Sequence, residues 1–177
     1  MTPPPSQAET MWEGRYLSVR KQGSWEYAER ANRIAAAVIV AVTVEGDLLL
    51  VEQFRVPIGR ACLELPAGLV GDDAAGESVT TAATRELEEE TGYRAGRVEE
   101  RGQFYSSPGM TSESFTLVVA RDLAQVGDGG GEEGEGITVH RVPLRDAATF
   151  IAAKRDEGLG IDAKLLLILG SGILGEL

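Results

Sequence analysis

The stretch TRELEEETGY, residues 84 to 93, sets four glutamates within five consecutive positions directly ahead of Gly92. Its pattern predicts a helix over 78 to 91 that Gly92 ends. At about 100° per residue, Glu86, Glu89 and Glu90 fall at i, i+3 and i+4 and fan across one face, while Glu88 points away. Each like-charge pair at this spacing costs roughly 0.2–0.5 kcal/mol, and an anion near a helix C-terminus opposes the macrodipole by about 0.3–1 kcal/mol. Taken alone, such a run is a solvated acidic face with Arg85 as its counter-charge. A chain that breaks these preferences together becomes reasonable if a divalent cation neutralises the cluster. Hard Mg²⁺ or Mn²⁺ favours carboxylate oxygens together with phosphates.

The rest of the composition narrows the chemistry. Twenty-eight acidic against 17 basic residues leave a net charge of −11, which opposes tracking a DNA or RNA backbone, so no nucleic acid polymer is expected as a partner. One cysteine, Cys62, excludes an internal disulfide, and with a single histidine, His140, a Cys/His zinc site lacks ligands. Any metal is expected on oxygen. The opening MTPPPSQAET lacks the order of a signal peptide, and the apolar run LLLIL at 165 to 169 is far short of a membrane span. These features predict a cytoplasmic protein without a membrane partner, with residues 1–10 as a disordered tail.

The 177 residues suit one main core. YLSVRKQGSWEYAER, broken at Gln22-Gly23, predicts a hairpin, and AAAVIVAVTVEGDLLLVEQF two further strands turning at Glu45-Gly46-Asp47. ACLELPAGL reads as a short strand ending in a Pro-Ala-Gly turn. After the helix come strands at 97–106 and 114–120, a long mobile Gly/Glu-rich loop at 125–136, the strand ITVHRVPL, and helices at 144–156 and 162–170. The order predicts an α+β layer fold. His140 reads as an ordinary half-buried strand residue, Cys62 as a small buried apolar one, and Leu165, Leu166, Ile168 and Leu169 as the core face of the last helix.

GDDAAGESVTTAATRELEEETGY carries glycine, five residues, glutamate, seven residues, then Arg-Glu-apolar-x-Glu-Glu-x-Gly-apolar. It closely resembles the Nudix box of the Nudix hydrolases. The resemblance implies a Nudix fold, a mixed β-sheet sandwiched between helices, over 34–177. Residues 11–33 would form an N-terminal β-hairpin extension. The formal match runs through Gly71; counted from Gly68, eight residues intervene before Glu77, a three-residue insertion. By resemblance, Glu86 and Glu90 bind the metal, Glu89 is an additional ligand or base, the Ala67 carbonyl is a ligand, and Arg85 orients the carboxylates.

VEQFRVPIGRACLELPAGL, SSPGMTSESFTLVVARDL and GEGITVHRVPL extend the likeness to the ADP-ribose pyrophosphatase branch, in which a proline stands a fixed distance beyond the box. Pro108 lies sixteen residues after Gly92. The likeness implies Arg55 for the diphosphate, where a guanidinium can pair bidentately. It implies Glu113 for the terminal ribose hydroxyls, and a stacking surface of Trp25 and Tyr27 with Arg30 nearby. Their ordinary alternatives are a surface arginine, an exposed glutamate and core aromatics. On the acidic loop, which is otherwise a solvated segment, Glu133 is the candidate base and Glu135 an additional ligand. Relatives commonly exchange N-terminal strands in a homodimer, so the stacking face can serve the partner subunit's site.

The activity implied is Mg²⁺-dependent hydrolysis of ADP-ribose to AMP and ribose 5-phosphate, with Mn²⁺ as a substitute. Hydrolysis of another nucleoside diphosphate sugar such as GDP-mannose and a non-catalytic nucleotide-sensing module are the alternatives.

Overall fold

A computed structural model describes residues 7–30, 35–71, 76–132 and 134–175. The predicted N-terminal hairpin forms, with β1 (Glu9–Glu13), β2 (Leu17–Gln22) and β3 (Trp25–Arg30) making a three-stranded antiparallel sheet in that order. Gly23 turns β2 into β3 at φ 61°, a left-handed conformation that glycine adopts at least cost. The expected tail overlaps β1, because residues 9 and 10 find ladder partners, Glu9 opposite Lys21 and Thr10 opposite Arg20. Residues 1–6 of that tail, and 31–33 of the N-terminal segment, lie outside the described residues.

The chain continues through β4 (Ala36–Ala41), β5 (Asp47–Arg55), β6 (Arg60–Glu64), β7 (Ala67–Leu69), α1 (Val79–Thr91), β8 (Tyr93–Tyr105) and β9 (Ser114–Gln125). It ends with β10 (Thr138–Pro143), α2 (Ala147–Asp156), β11 (Gly160–Ile161) and α3 (Leu166–Gly175). Two four-stranded mixed sheets result, one ordered β7-β4-β9-β8 and the other β10-β5-β6-β11. Only β4 with β9 and β6 with β11 run parallel among these named strands. The α+β expectation holds, with one refinement: the sandwiched β-layer is two sheets. ACLELPAGL does not end at its turn but passes from one sheet to the other, β6 before Pro66 and β7 after it. Proline has no N–H to continue a ladder, and its carbonyl instead accepts from the Ile39 N–H at 2.8 Å.

Burial explains why β4 and β5 read as near-continuous apolar runs. Ala37, Ile39, Ala41 and Leu49 face α1, where they meet Ala83 and Leu87. Val38, Leu48 and Leu50 face the other way, onto Ala147 and Ile151 of α2 and onto Leu165. Leu166 does not join the predicted core face; it is 54% exposed, because Leu165 occupies the buried position at the end of a short 3-10 turn.

Ser78 caps α1, its Oγ accepting the Thr81 N–H at 3.1 Å, and Gly92 ends it at φ 75°. The start of the loop expected to be mobile lies against that end. N–H groups of Val126 and Gly127 donate to the Gly92 carbonyl, that of Gly130 to Glu90 and that of Gly131 to Glu89, all between 2.8 and 3.1 Å. The carbonyls a helix leaves unsatisfied at its end are thus taken up by backbone amides.

Candidate active site

Glu86 and Glu90, one helical turn apart on α1, reach over β7. The Glu90 Oε2 accepts the Ala67 N–H at 3.0 Å, and the Glu86 carboxyl lies against the Gly68 backbone. A Cβ built on Gly68 would stand 1.8 Å from the Glu86 Cδ, so only glycine leaves room for this carboxylate. Burial pushes both acids toward their neutral forms. Glu90 rises to about 8, burial being the main cause, with Glu86 and Glu135 adding repulsion against the opposing Ala67 N–H and Arg55. Glu86 is raised by burial first, with Arg85 opposing.

Arg85 stands behind these acids. Its guanidinium lies 3.0 Å from Glu86 and Glu89 and 3.4 Å from Glu77, whose other oxygen accepts the Gly71 N–H at 3.1 Å. The glycine and glutamate that open the motif are thus tied directly to each other. Burial opposes the Arg85 charge, but Glu77, Glu86 and Glu89 outweigh it and hold the guanidinium protonated. Glu88 points away, as expected, into a bidentate pair with Arg94 at 2.8 Å on both arms.

The acids open into a cleft of about 620 Å³ between the two four-stranded sheets. It gathers Arg30, Arg55, Ala67, Glu113 and Glu135 with Glu86 and Glu90. Besides Arg85, three described candidates lie elsewhere. Glu89 is turned to Arg85 and borders a separate surface hollow with Thr84 and Glu88, so the three-carboxylate face splits into two. Trp25 is 57% exposed on β3 away from the cleft, and Pro108 is exposed in the turn preceding Glu113. Glu133 lies outside the described residues.

Two ion pairs alter the expected roles. Glu64, buried on β6, takes Nε and Nη2 of Arg55 at 2.6 and 2.9 Å, so the bidentate edge predicted to meet a diphosphate faces a carboxylate instead. Glu113 is engaged by Arg30, at 3.1 Å to Nε and 2.7 Å to Nη2. That contact follows from the docking of β3, where Ala28 exchanges backbone bonds with Met110 at 2.9 Å and Ser112 at 3.0 Å.

Sequence reasoning missed Glu64, Phe115, Asp162 and Lys164, all of which line the cleft. A charged residue inside the apolar run ACLEL was the available sign for Glu64. Cys62 also lines it, buried as expected. Burial, followed by the charges of Glu64 and Asp162, pushes its thiol up to about 11, which leaves little thiolate at neutral pH. His140 is half-buried in β10, its Nε2 2.9 Å from Glu52 and its ring against Phe150.

A family profile for the NUDIX domain matches residues 32–163. The chain belongs to the NUDIX family. Among relatives of this NUDIX chain, the ADP-ribose pyrophosphatase of Bacillus subtilis (strain 168) is 37% identical over 120 residues, covering 67% of this chain and 63% of that protein. The ADP-sugar pyrophosphatase of Mus musculus is 35% identical over 164 residues, covering 87% and 70%. The GDP-mannose pyrophosphatase of Cronobacter sakazakii is 33% identical over 153 residues, covering 81% and 74%. The chain spans 56% and 63% of the lengths of two curated relatives it matches. The crystal structure of an ADP compounds hydrolase superposes with a TM-score of 0.70 at 24% identity, covering 96% of this chain and 93% of that one, which establishes the shared fold.

NUDIX hydrolases generally use divalent metal ions, and the donor set here fits one. Glu90 is a buried carboxylate and Glu86 a half-buried one, held close enough to repel, and burial leaves them short of water to spread their charge. Among the described residues no group of three or more His, Cys, Asp and Glu side chains is already arranged around a single ion position. A cation here would draw its remaining oxygens from backbone, water or substrate phosphate. Among the described residues no helix of this NUDIX chain is long and apolar enough to cross a membrane.

Proposed function

We propose that this chain hydrolyses the diphosphate bond of ADP-ribose, giving AMP and ribose 5-phosphate, with Mg²⁺ as its ion and Mn²⁺ as a substitute. The observation that carries the reading is one cleft joining the Glu86 and Glu90 carboxylates to Arg55 and to the Arg30–Glu113 pair. Such a cleft offers oxygen ligands for a dication, a guanidinium for phosphate and polar groups for a sugar. The names of the Bacillus subtilis and Mus musculus relatives support the substrate class.

Each residue then has a physical task. Glu86 and Glu90, with the Ala67 carbonyl and Glu135, would hold the ions, whose chemistry is to neutralise the diphosphate and acidify the attacking water. Arg55 presents Nη1 to a diphosphate oxygen while Glu64 fixes its other edge. Arg85 holds Glu86 and Glu89 in place, and Glu89 supports the site from behind α1. Glu133 takes the proton of the water. Glu113 accepts hydrogen bonds from the ribose hydroxyls when Arg30 turns from it toward the nucleotide, and Pro108 shapes the turn before Glu113.

The three-stranded N-terminal sheet leaves Met11, Trp12, Tyr16 and Trp25 each more than half exposed, which suits a homodimer in which Trp25 stacks in the partner subunit's site. The reading carries with it a cytoplasmic setting.

The test is turnover of a nucleotide-sugar panel with Mg²⁺, followed by phosphate release after phosphatase coupling. ADP-ribose is expected to lead it. A lead by GDP-mannose transfers the assignment to that substrate, in line with the Cronobacter relative, and no turnover of any diphosphate leaves a nucleotide-sensing module. Glu133→Gln is expected to lower kcat by about 10²–10⁴-fold with substrate affinity kept, the usual scale for losing a positioned base. Wild-type kcat in that variant would remove Glu133 from the role.

A further inference from the structure

Among the described residues, three cations line the cleft, each beside its own carboxylate: Arg30 with Glu113, Arg55 with Glu64, and Lys164 with Asp162. The first two pairs have tasks in the proposed reaction. The third has none.

Lys164 is not a loose surface lysine. Asp162 follows β11, and its N–H donates to the Leu63 carbonyl at 3.1 Å. One carboxylate oxygen accepts the Lys164 backbone N–H at 2.7 Å and the other holds the Lys164 Nζ, also at 2.7 Å. The next residue, Leu165, is fully buried and fastens this short turn to the core. The side chain is therefore placed by its neighbours on both sides, and it remains only 22% exposed.

Its position selects a ligand. The ammonium stands 6.0 Å from the centre of the Phe115 ring, and Phe115, two positions beyond Glu113, lines the cleft together with it. Lys164 thus faces the part of the cleft that Glu113 borders. A lysine ammonium has three donors. Asp162 takes one, which leaves two donors for hydroxyl oxygens.

We propose that Lys164 contacts the sugar half of a nucleoside diphosphate sugar, donating to its hydroxyls, with Asp162 as its positioning residue. This rests on the diphosphatase reading above. It adds a residue that distinguishes substrates by what is attached beyond the second phosphate.

The test compares ADP-ribose with the methyl ester of ADP, which keeps both phosphates and lacks the sugar. Lys164→Met, which retains the aliphatic stem, is expected to raise KM for ADP-ribose about 10-fold with kcat within about twofold, and to leave kcat/KM for the methyl ester unchanged, as loss of ground-state binding requires. Lys164→Arg is expected to recover at least half of the lost affinity, and Asp162→Asn to fall between wild type and Lys164→Met on ADP-ribose alone. Equal losses on both substrates, or none on either, would overturn the assignment. Calorimetry of wild type and Lys164→Met with α,β-methylene analogues of ADP-ribose and ADP gives the same comparison without turnover. Failure of the wild-type chain to cleave any diphosphate defeats the proposed function, whereas wild-type cleavage with an unselective or silent Lys164→Met defeats only the sugar-side role.

Discussion

Glu90→Gln is expected to remove at least about 10³-fold of the activity and, in the metal-free protein at pH 8, to raise the melting temperature. The two effects have one source. In the fold, burial and the neighbouring Glu86 lift the Glu90 carboxyl to about 8, whereas an unfolded chain leaves it near the ordinary value of 4.5. Between those pH values the folded state holds a proton that the unfolded state has released, so stability is fullest below the lower value, falls as pH rises, and carries the whole penalty above the upper one. That penalty is on the order of a few kcal/mol, or about 5–10 °C in a chain of this size. Glutamine keeps an oxygen to accept the Ala67 N–H and never ionises. Melting curves without metal from pH 5 to 8.5 should therefore fall for wild type and stay flatter for the variant. Adding Mg²⁺ at pH 8 should restore the wild-type chain selectively, since a ligand that binds only the folded state stabilises it. Parallel curves for the two proteins would mean that Glu90 ionises freely in the fold.

Gly68→Ala should lower activity without a gain in stability. The added methyl would fall 1.8 Å from the Glu86 Cδ and 2.1 Å from its Oε1, so one of the two must move. The flexible side chain yields more easily than β7, which is paired with β4 through Gly68 and Ala37. Glu86 would then leave the position it shares with Glu90. A displacement of about 1 Å at such a centre costs on the order of 10² in rate. We expect kcat/KM to fall at least that far and Mg²⁺ affinity to drop with it, with a melting temperature close to wild type. Unchanged kinetics would show that Glu86 need not sit over the Gly68 backbone.

Much of this site was legible because helical spacing alone places Glu86 and Glu90 on one side of α1, and a helix bounded by Ser78 and Gly92 fixes that spacing. The same arithmetic put Glu89 with them, but it took no account of Arg85, which draws Glu89 into the neighbouring hollow. Periodicity marked the strands and could not tell which sheet each would join, so the passage from β6 to β7 at Pro66 was invisible. Glu64, Asp162 and Lys164 were missed for a related reason. Each reaches the cleft through the pairing of β6 with β5 and β11, at sequence distances no local pattern spans. Arg55, Glu113 and Arg30 were named, but neither Glu64 nor the pairing of Arg30 with Glu113 was foreseen, since ion pairing depends on the tertiary approach of separate strands.

The loop that follows β9 has a bearing on how this chain can vary. Its amides at 126–131 close off the end of α1, and only a few residues later the same segment delivers Glu135. Gly129 fits there because a side chain would strike the Thr91 and Glu90 backbone. Lengthening or shortening this stretch would shift a carboxylate and unfasten a helix in one stroke. Descendants of this chain should therefore hold the count fixed between Gln125 and Gly131.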